Sequence, residues 1–381
     1  MRLNLNFNNK LNNKLNNKRN IIMKKTIVGV LCIAGLIAQD DYFVPVSSIG
    51  GYGELHYNRS QSGENTATAK LDFHRFIIYY GYAFSEEWSF KSEVELEHNF
   101  VQDGDGELEL EQAYVNYHTD SFGFQAGVIL PSVGLVNEYH EPPLFVSVER
   151  PEYNKYVIPT TWFGNGAAVY GKVAEINWRF ALMEDLNGDE IGKGIRSGRA
   201  KGYKSTAYDM VKNLSAYYTG ISGLRVGGSF TMNNAPTSAY FTTDEDGNNI
   251  VNEADTASVG VKLMEFHAKY DANNIYAVLE YGQISYEHNP LGYESSGGYY
   301  ADLGYNVASM IGLKGKLMPW FRMSNYNRGN DDDSVDYSIQ RFGLSYWPHP
   351  QIAFKADYGT HKKASDDDVA TQINVGVGYN F

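Results

Sequence analysis

The sequence has little of what marks disulfide-stabilised proteins, helical membrane proteins and most metalloenzymes. Its 381 residues include one cysteine, Cys32, which excludes a disulfide framework and a cysteine-based metal site. No run of residues approaches the roughly 20 apolar positions that a membrane-spanning helix needs. The nine histidines form no His-Glu-x-x-His motif, and a Gly-x-Ser-x-Gly motif is also missing. We therefore expect no enzymatic activity, no metal site and no cofactor.

Tyrosine and glycine are abundant instead, with 30 and 38 residues, while the mean hydropathy is only −0.40. Many aromatic residues and glycines without a long apolar run are typical of a β-rich chain. A membrane β-barrel is compatible with low hydropathy, because only every second residue of its strands faces lipid.

The N-terminal region differs in composition from the rest of the chain. Residues 1–22 are rich in Asn and Lys, and we interpret them as a spurious or disordered extension. Residues 23–38, which contain Cys32, combine a basic start, an apolar run and a final small residue, the pattern of a secretory signal peptide. The remaining residues, 39–381, would form a single barrel domain. Loss of residues 1–38 would change the formal net charge from −13 to −20, which argues against nucleic acid as a partner.

Long and short connections alternate along the mature chain. Short ones are turn-sized, whereas long ones are rich in Asp, Asn, Gly and Ser, which is typical of a transmembrane antiparallel β-barrel with both termini in the periplasm. Weak alternation in the twelfth and thirteenth strands leaves the strand count open by about two. The sixteen candidate strands span 50–60, 70–84, 87–101, 107–119, 122–130, 161–172, 174–184, 206–219, 223–233, 257–271, 274–287, 299–312, 316–327, 335–347, 351–361 and 370–381.

The last strand has a period of two: apolar side chains from Ile373 to Phe381 alternate with Asn and Gly. We expect it to close the barrel against the strand near Gly51–Gly53. The terminal Phe381, by resemblance to other outer-membrane barrels, would be the assembly signal that the barrel assembly machinery recognises.

Charged residues also alternate with apolar ones, and they must face a watery lumen because a Lys or Arg at the lipid midplane costs about 2–4 kcal/mol. Aromatic residues near the predicted strand ends would form two interfacial girdles, namely Trp88, Tyr117, Phe122, Trp347 and Phe381. The charged side chains predicted to face the lumen are Arg75, Lys91, Arg179, Arg225, Lys262, Arg341, Lys355, Glu93, Glu95, Glu97, Glu265, Glu280 and Asp357.

The third long connection, 131–160, is the longest and is unusually apolar and rich in proline. A solvated surface loop has little reason to carry so many apolar side chains. We therefore predict that it folds into the lumen and forms a constriction, since about sixteen strands enclose an aqueous channel. An extracellular loop packed on its neighbours, or one at a subunit contact, is the alternative. The charged candidates that this connection contributes to the constriction are Glu138, His140, Glu141, Glu149 and Arg150.

Several stretches resemble the phosphate-selective porin O/P family, most clearly over residues 50–170. They are 71–76 (Leu-Asp-Phe-His-Arg-Phe), 92–98 (Ser-Glu-Val-Glu-Leu-Glu-His), 111–114 (Glu-Gln-Ala-Tyr), 137–143, 148–151 and 159–162. The resemblance implies a sixteen-stranded general-porin fold, commonly trimeric, with a folded-in third loop. Anion-selective members carry a ladder of Arg and Lys into the pore, whereas the predicted lumen here has mixed charge. Phosphate selectivity is therefore not carried over.

We predict a passive porin of the Gram-negative outer membrane that forms a channel for small hydrophilic solutes and ions. Expected partners are outer-membrane lipid, lipopolysaccharide and two further copies of the chain in a homotrimer. Two alternatives stay open. One is an anion- or phosphate-selective channel, and the other is a non-conducting barrel that displays its loops like an adhesin.

Overall fold

The computed structural model describes residues 43–102, 106–203 and 205–381. The predicted N-terminal extension (1–22) and signal peptide (23–38) lie outside the described residues. Among the described residues no helix is both long and apolar enough to cross a membrane. The strands β1 to β18 are, in chain order, Val46–Ser62, Thr68–Ala83, Trp88–Glu97, Leu108–His118, Phe122–Ile129, Gly164–Val173, Ile176–Met183, Val211–Tyr218, Leu224–Pro236, Phe241–Thr243, Asn249–Val251, Ser258–Ala272, Ile275–Glu287, Ser295–Tyr305, Lys316–Asn327, Asp336–His349, Ile352–Lys363 and Val369–Asn380.

Sixteen of these strands close into one barrel in which every neighbouring pair is antiparallel, so the predicted fold class is confirmed. The strands follow one another around the wall in chain order, and β1 pairs with both β2 and β18. Tyr52 lies opposite Asn380, and the main chains of Gly51 and Phe381 exchange hydrogen bonds of 3.1 and 2.9 Å. The predicted closure by the last strand is therefore correct. The short strands β10 and β11 form a separate hairpin in the connection between β9 and β12.

Several boundaries differ by a few residues from the sequence prediction, and the twelfth barrel strand differs most. The twelfth barrel strand, β14, is Ser295–Tyr305 and not 299–312, and a 3-10 turn, Ala308–Ile311, follows it. Its first residues, Ser-Ser-Gly-Gly, look like a loop in isolation, but Ser295 pairs with Ser285 of β13. Sheet pairing therefore overrides the weak strand preference of small residues. The connection between β5 and β6 is 130–163, slightly longer than predicted.

The predicted faces of the strands are largely correct. Val94 and Phe354 are exposed on the outside, whereas Glu93 and Lys355 on the same strands are buried on the inside. Two predictions were wrong. Lys262 shares the exposed outer face of β12 and pairs with Glu287 of β13 at 2.6 Å, where both side chains remain in contact with solvent.

Trp347 is the second correction, because it belongs to no outer girdle. It is 7% exposed, lies on the inward face of β16 and donates its indole N–H to the Pro143 carbonyl at 3.0 Å. Counting in twos from the buried Arg341 gives the same inward direction. By contrast, Trp88, Phe122 and Phe381 are exposed, as a girdle requires.

Candidate functional site

Residues 130–163 are called here the β5–β6 segment. The side chain of Asn137 joins the two ends of this segment. The Asn137 side chain is fully buried, and its amide donates to the carbonyls of Pro131 (2.9 Å) and Trp162 (3.1 Å). Its oxygen accepts from the Trp162 N–H at 2.7 Å. These three bonds bring the two ends of the segment together. A one-turn helix, α1 (Tyr153–Tyr156), lies in its second half.

The apolar residues of the segment pack against inward-facing apolar residues of the wall. Together they make one buried cluster, to which the segment contributes Val133, Leu135, Val136, Val146, Tyr153, Val157, Ile158 and Trp162. The wall contributes residues such as Leu263, Ile284, Met318 and Ile339. Burial of this apolar surface gives the segment a hydrophobic reason to lie against the strands.

On β13 the segment meets the buried carboxylate of Glu280. This carboxylate accepts hydrogen bonds from the Leu135 N–H (3.2 Å), the Asn154 amide (3.2 Å) and the Tyr300 hydroxyl (3.1 Å). Gly134 makes the approach possible: its φ is +69°, and a Cβ there would lie 2.1 Å from Glu280 Oε1. Only glycine has both that backbone freedom and that little bulk.

Strands β15 and β17 hold the middle of the segment. Arg322 of β15 is fully buried, pairs with Asp302 through two hydrogen bonds of 2.6 and 2.8 Å, and donates to Ser147 Oγ at 2.8 Å. Lys355 of β17 donates to the carbonyls of Pro142 (2.6 Å) and Ser147 (2.8 Å). Charged donors from the wall thus satisfy polar atoms of the segment that water cannot reach.

A second buried ion-pair network lies next to α1. Arg341 of β16 donates to Asp357 Oδ1 and to Glu152 Oε1, each at 2.7 Å. His361 also contacts Glu152 Oε1, at 3.2 Å. Although burial opposes it, the charge of Arg341 together with His361 holds the pKa of Glu152 far below its usual range. Glu152 is thus an anionic anchor of the segment.

Glu149 anchors the segment to β1. Its Oε1 accepts from the Asn58 amide and contacts His56 Nδ1, both at 2.9 Å. Burial raises the pKa of this carboxyl, but the bond from His56 outweighs it and lowers the pKa to about 2. The segment is therefore fixed to β1 as well as to β13.

His140 lies between two buried glutamates of the wall. Its Nε2 is 3.3 Å from Glu111 Oε2 on β4 and 3.5 Å from Glu93 Oε1 on β3. Its Nδ1 donates to the Asn137 carbonyl at 2.9 Å. Burial and the charge of Arg150 oppose the imidazolium, but the two carboxylates prevail and raise the pKa of His140 to about 10.

The structure also places the other residues that the sequence suggested. Arg75 pairs with Glu54 (2.7 Å) and Glu95 (3.2 Å) on the inner wall, and Lys91 lies over the ring of Tyr79. Glu141 accepts from the Tyr79 hydroxyl at 3.4 Å.

The remaining candidates are spread over the lumen. Arg179 donates to the Leu130 carbonyl at 2.7 Å, and Arg225 stacks on Tyr217 at 3.9 Å near the β8–β9 turn. Glu97 lines the cavities described next, and Glu138 is half-buried. The candidates therefore form several contacts along the lumen and not one compact site.

Cavities lie on both sides of the β5–β6 segment. One of about 710 Å³ is bordered by the β8–β9 turn and opens toward the side of the short turns. Two others, of about 450 and 400 Å³, lie toward the long loops and share Arg75, Glu97, Arg150, Thr160 and Arg196. Residues of the segment line all three cavities.

The 400 Å³ cavity carries opposite charges. Arg150 and the loop cations Arg196 and Arg199 lie beside Thr160 and Thr161, whereas Arg75 pairs with Glu95, and Lys201 pairs with Glu107 and Glu109. The acidic residues of the cavity are Glu95 and Glu97 of β3, Glu107 before β4, and Glu109 and Glu111 of β4. Arg196 donates to the Thr160 carbonyl at 2.9 Å, and Arg199 to the Pro159 carbonyl at 3.4 Å. Burial and the neighbouring Arg196 lower the pKa of Arg199 to about 10.

Sequence reasoning did not select Arg196, Arg199 or Arg322. The first two belong to the connection between β7 and β8, which has no periodicity to indicate where a side chain points. Arg322 could have been found, because Phe321 and Met323 on either side of it face outward.

The chain matches no protein-family profile. It is 32% identical over 343 residues to an uncharacterized protein of Aquifex aeolicus (strain VF5), which covers 84% of this chain and 78% of that protein. The chain belongs to the family of that protein. Because the relative is itself uncharacterized, the membership supplies no function.

Solved structures with the same fold are outer-membrane proteins. Salmonella typhi OmpF in complex with daunomycin has a TM-score of 0.60 at 13% identity, covering 88% of this chain and 98% of that one. An anion-selective porin from Comamonas acidovorans also has a TM-score of 0.60, at 11% identity, covering 89% of this chain and all of that one. OmpT of Vibrio cholerae in its trimer form has a TM-score of 0.54 at 14% identity, with 89% of this chain and all of that one covered.

At these identities the likeness concerns the fold alone. That fold is a porin-like barrel of sixteen strands with an apolar outer face, which indicates the bacterial outer membrane.

Proposed function

We propose that the chain forms a passive channel for small hydrophilic solutes and ions, with the β5–β6 segment as its constriction. The observation that carries the proposal is that the 400 Å³ cavity beside the segment is lined by both signs of charge, with most carboxylates on β3 and β4 and the guanidinium groups of Arg150, Arg196 and Arg199 beside the segment. A barrel of sixteen strands is wide enough to contain water, and a segment that narrows it makes the lining charges effective.

The position of the cavities supports this role. One adjoins the short turns, two adjoin the long loops, and the segment contributes to the walls of each. A solute passing from one side to the other would therefore meet the segment. Acidic and basic residues facing each other create a transverse field that orients polar solutes and sets ion preference.

Single-channel recording in planar bilayers with a KCl gradient tests the proposal. We expect conducting steps and a small reversal potential, because the cavity carries both signs of charge. Glu107→Gln with Glu109→Gln should shift the reversal potential toward anion preference, and Arg196→Gln with Arg199→Gln toward cation preference. Glu287→Gln is the matched control, since that carboxylate lies on the outer face and should leave the potential unchanged.

Absence of conductance from correctly assembled protein would contradict the channel and favour the alternative of a non-conducting barrel that displays its loops. A reversal potential that stays unchanged in both pairs of substitutions would contradict the role of the segment as a constriction.

An anion- or phosphate-selective channel is the second candidate, and Arg150 favours it. The guanidinium Nε and one NH2 group of Arg150 are buried and make no hydrogen bond to the described residues, and the side chain lines both loop-side cavities. Arg196 lines the same two cavities. A strong anion preference of the wild type, abolished by Arg150→Gln, would support this candidate, and a cation preference would reject it.

The oligomer is also part of the proposal. We infer a homotrimer embedded in outer-membrane lipid and lipopolysaccharide, because the chain shares its fold with a porin-like protein solved in a trimer form. The mature chain would start after a signal peptide at 23–38 and be inserted by the barrel assembly machinery. Mass measurement of the protein extracted in mild detergent, and sequencing of its N-terminus, test these points.

A further inference from the structure

Three ligand-type side chains converge inside the barrel where the β5–β6 segment meets β3 and β4. The atoms that face one another are Glu93 Oε1, Glu111 Oε2 and His140 Nε2, all within 4.8 Å of one another. Their side chains are at most 2% exposed. Among the described residues none of these three atoms has an assigned hydrogen bond, although His140 Nε2 lies within ion-pair distance of both carboxylate oxygens. Buried carboxylate and imidazole atoms are costly unless they are compensated, and here either a proton on His140 or a cation between the three atoms can compensate them.

The second nitrogen of His140 and the second carboxylate oxygen of Glu93 are already occupied. His140 Nδ1 lies 2.9 Å from the Asn137 carbonyl, which can only accept, so Nδ1 carries a proton. A backbone carbonyl on the second nitrogen of the ring is the usual orienting partner of a metal-bound histidine. The remaining Glu93 oxygen, Oε2, accepts from the Gln112 amide. Each of these two side chains is therefore oriented with one free atom toward a common centre.

The separations fit a small divalent cation. Around a tetrahedral ion with ligands at about 2.0–2.1 Å, neighbouring ligand atoms are about 3.3–3.4 Å apart. The imidazole nitrogen lies 3.3 Å from Glu111 Oε2 and 3.5 Å from Glu93 Oε1. One histidine nitrogen with two carboxylate oxygens is a ligand set that Zn²⁺ accepts, with a fourth position left for water.

We propose that Glu93, Glu111 and His140 form a binding site for a divalent transition metal of the Zn²⁺ type that fastens the β5–β6 segment to the barrel wall. The ion would join one ligand from the segment to one from each of two neighbouring strands. It would thereby stabilise the docked segment whether or not the barrel conducts, so the inference is independent of the proposed function.

A protonated His140 between two carboxylates is the competing arrangement, and metal content separates the two. The full chain, refolded in detergent with Zn²⁺ and then freed of loosely bound metal, should retain about one ion per chain. Glu111→Gln and His140→Ala should each lower Zn²⁺ affinity by more than about 100-fold, because removal of a ligand costs more than removal of its orienting partner. Heat-modifiable migration on gels would verify that each variant has formed its barrel.

The described residues offer a second group for comparison, Asp72, His74 and His98, whose ligand atoms are also close together. These side chains are half-buried, and Asp72 is already bonded to His74 (3.2 Å) and His98 (2.8 Å). His74→Ala with His98→Ala is therefore the matched control, and this variant should retain the ion.

Visible absorption of the Co²⁺-loaded protein gives a second readout, since four-coordinate and six-coordinate Co²⁺ differ in spectrum. A wild type that retains no Zn²⁺ or Co²⁺ would overturn the proposal and leave the protonated histidine. So would an ion that persists in His140→Ala or disappears from the His74/His98 control.

Discussion

Glu152 offers the sharpest test of how the β5–β6 segment is held. Its Oε1 accepts from Arg341 at 2.7 Å and contacts His361 at 3.2 Å in a buried network. A hydrogen bond to a charged group contributes about 1.5–3 kcal/mol, and a neutral one about half as much. Glu152→Ala should therefore raise the population in which this part of the segment is detached by about 10- to 150-fold. Glu152→Gln, which keeps the shape and loses the charge, should give about tenfold or less.

Single-channel recording would report detachment as brief excursions to a different current level. We expect their frequency to rise from wild type to Glu152→Gln to Glu152→Ala, with the main conductance level unchanged. A graded increase follows from the structure because the two substitutions remove different parts of the same interaction.

A disulfide provides the control. A Cβ at Gly376 of β18 would lie 2.9 Å from Val148 Cγ1, close to the separation of about 3 Å that a disulfide of standard geometry requires. Since Cys32 lies in the predicted signal peptide, Val148→Cys with Gly376→Cys would be the only cysteine pair in the mature chain. Oxidation should abolish the excursions of Glu152→Ala, and reduction should restore them. Equal excursion frequencies in all three proteins, or excursions that survive the disulfide, would refute the anchoring role of Glu152.

Three further predictions concern assembly and stability. Deletion of Phe381 should lower the yield of assembled barrel far more than Asn380→Ala, because it removes the main-chain hydrogen bonds to β1; equal yields in the membrane fraction would contradict this. Gly134→Ala should lower the temperature at which heat-modifiable migration is lost, because a left-handed backbone costs a non-glycine residue about 1–2 kcal/mol and the new methyl group would meet a carboxylate of β13. Arg322→Met should destabilise the barrel by about 3–5 kcal/mol in a urea titration, because it leaves Asp302 buried and unpaired. The double variant Arg322→Met with Asp302→Asn should recover most of that loss. An unchanged urea midpoint for the single variant would contradict the stabilising role of the pair.

The alternation of residues determined most of the fold. A strand repeats every two residues, so the chemistry of Val94, Glu93 and their neighbours shows which side of the sheet meets water without reference to any other strand. The closure by Phe381 against Gly51 was also readable, since the last strand of a closed barrel has only the first left to pair with. Trp347 shows the limit of composition as a guide. An aromatic residue near a strand end is typical of a girdle. Trp347, however, lies an even number of residues from the buried Arg341 on the same strand and therefore faces inward.

Only the tertiary structure decided which charged residues meet. Glu93 and Glu111 become neighbours through the pairing of β3 with β4, where the register shifts at Glu93, and His140 reaches them through a segment without any period. The same holds for Arg196, which a long connection carries to Thr160. Periodicity is a local property of the chain, whereas strand register and the path of an irregular segment depend on burial and hydrogen bonding between distant residues. The barrel is therefore determined by the sequence pattern, and the contacts inside it by the way the β5–β6 segment packs against the wall.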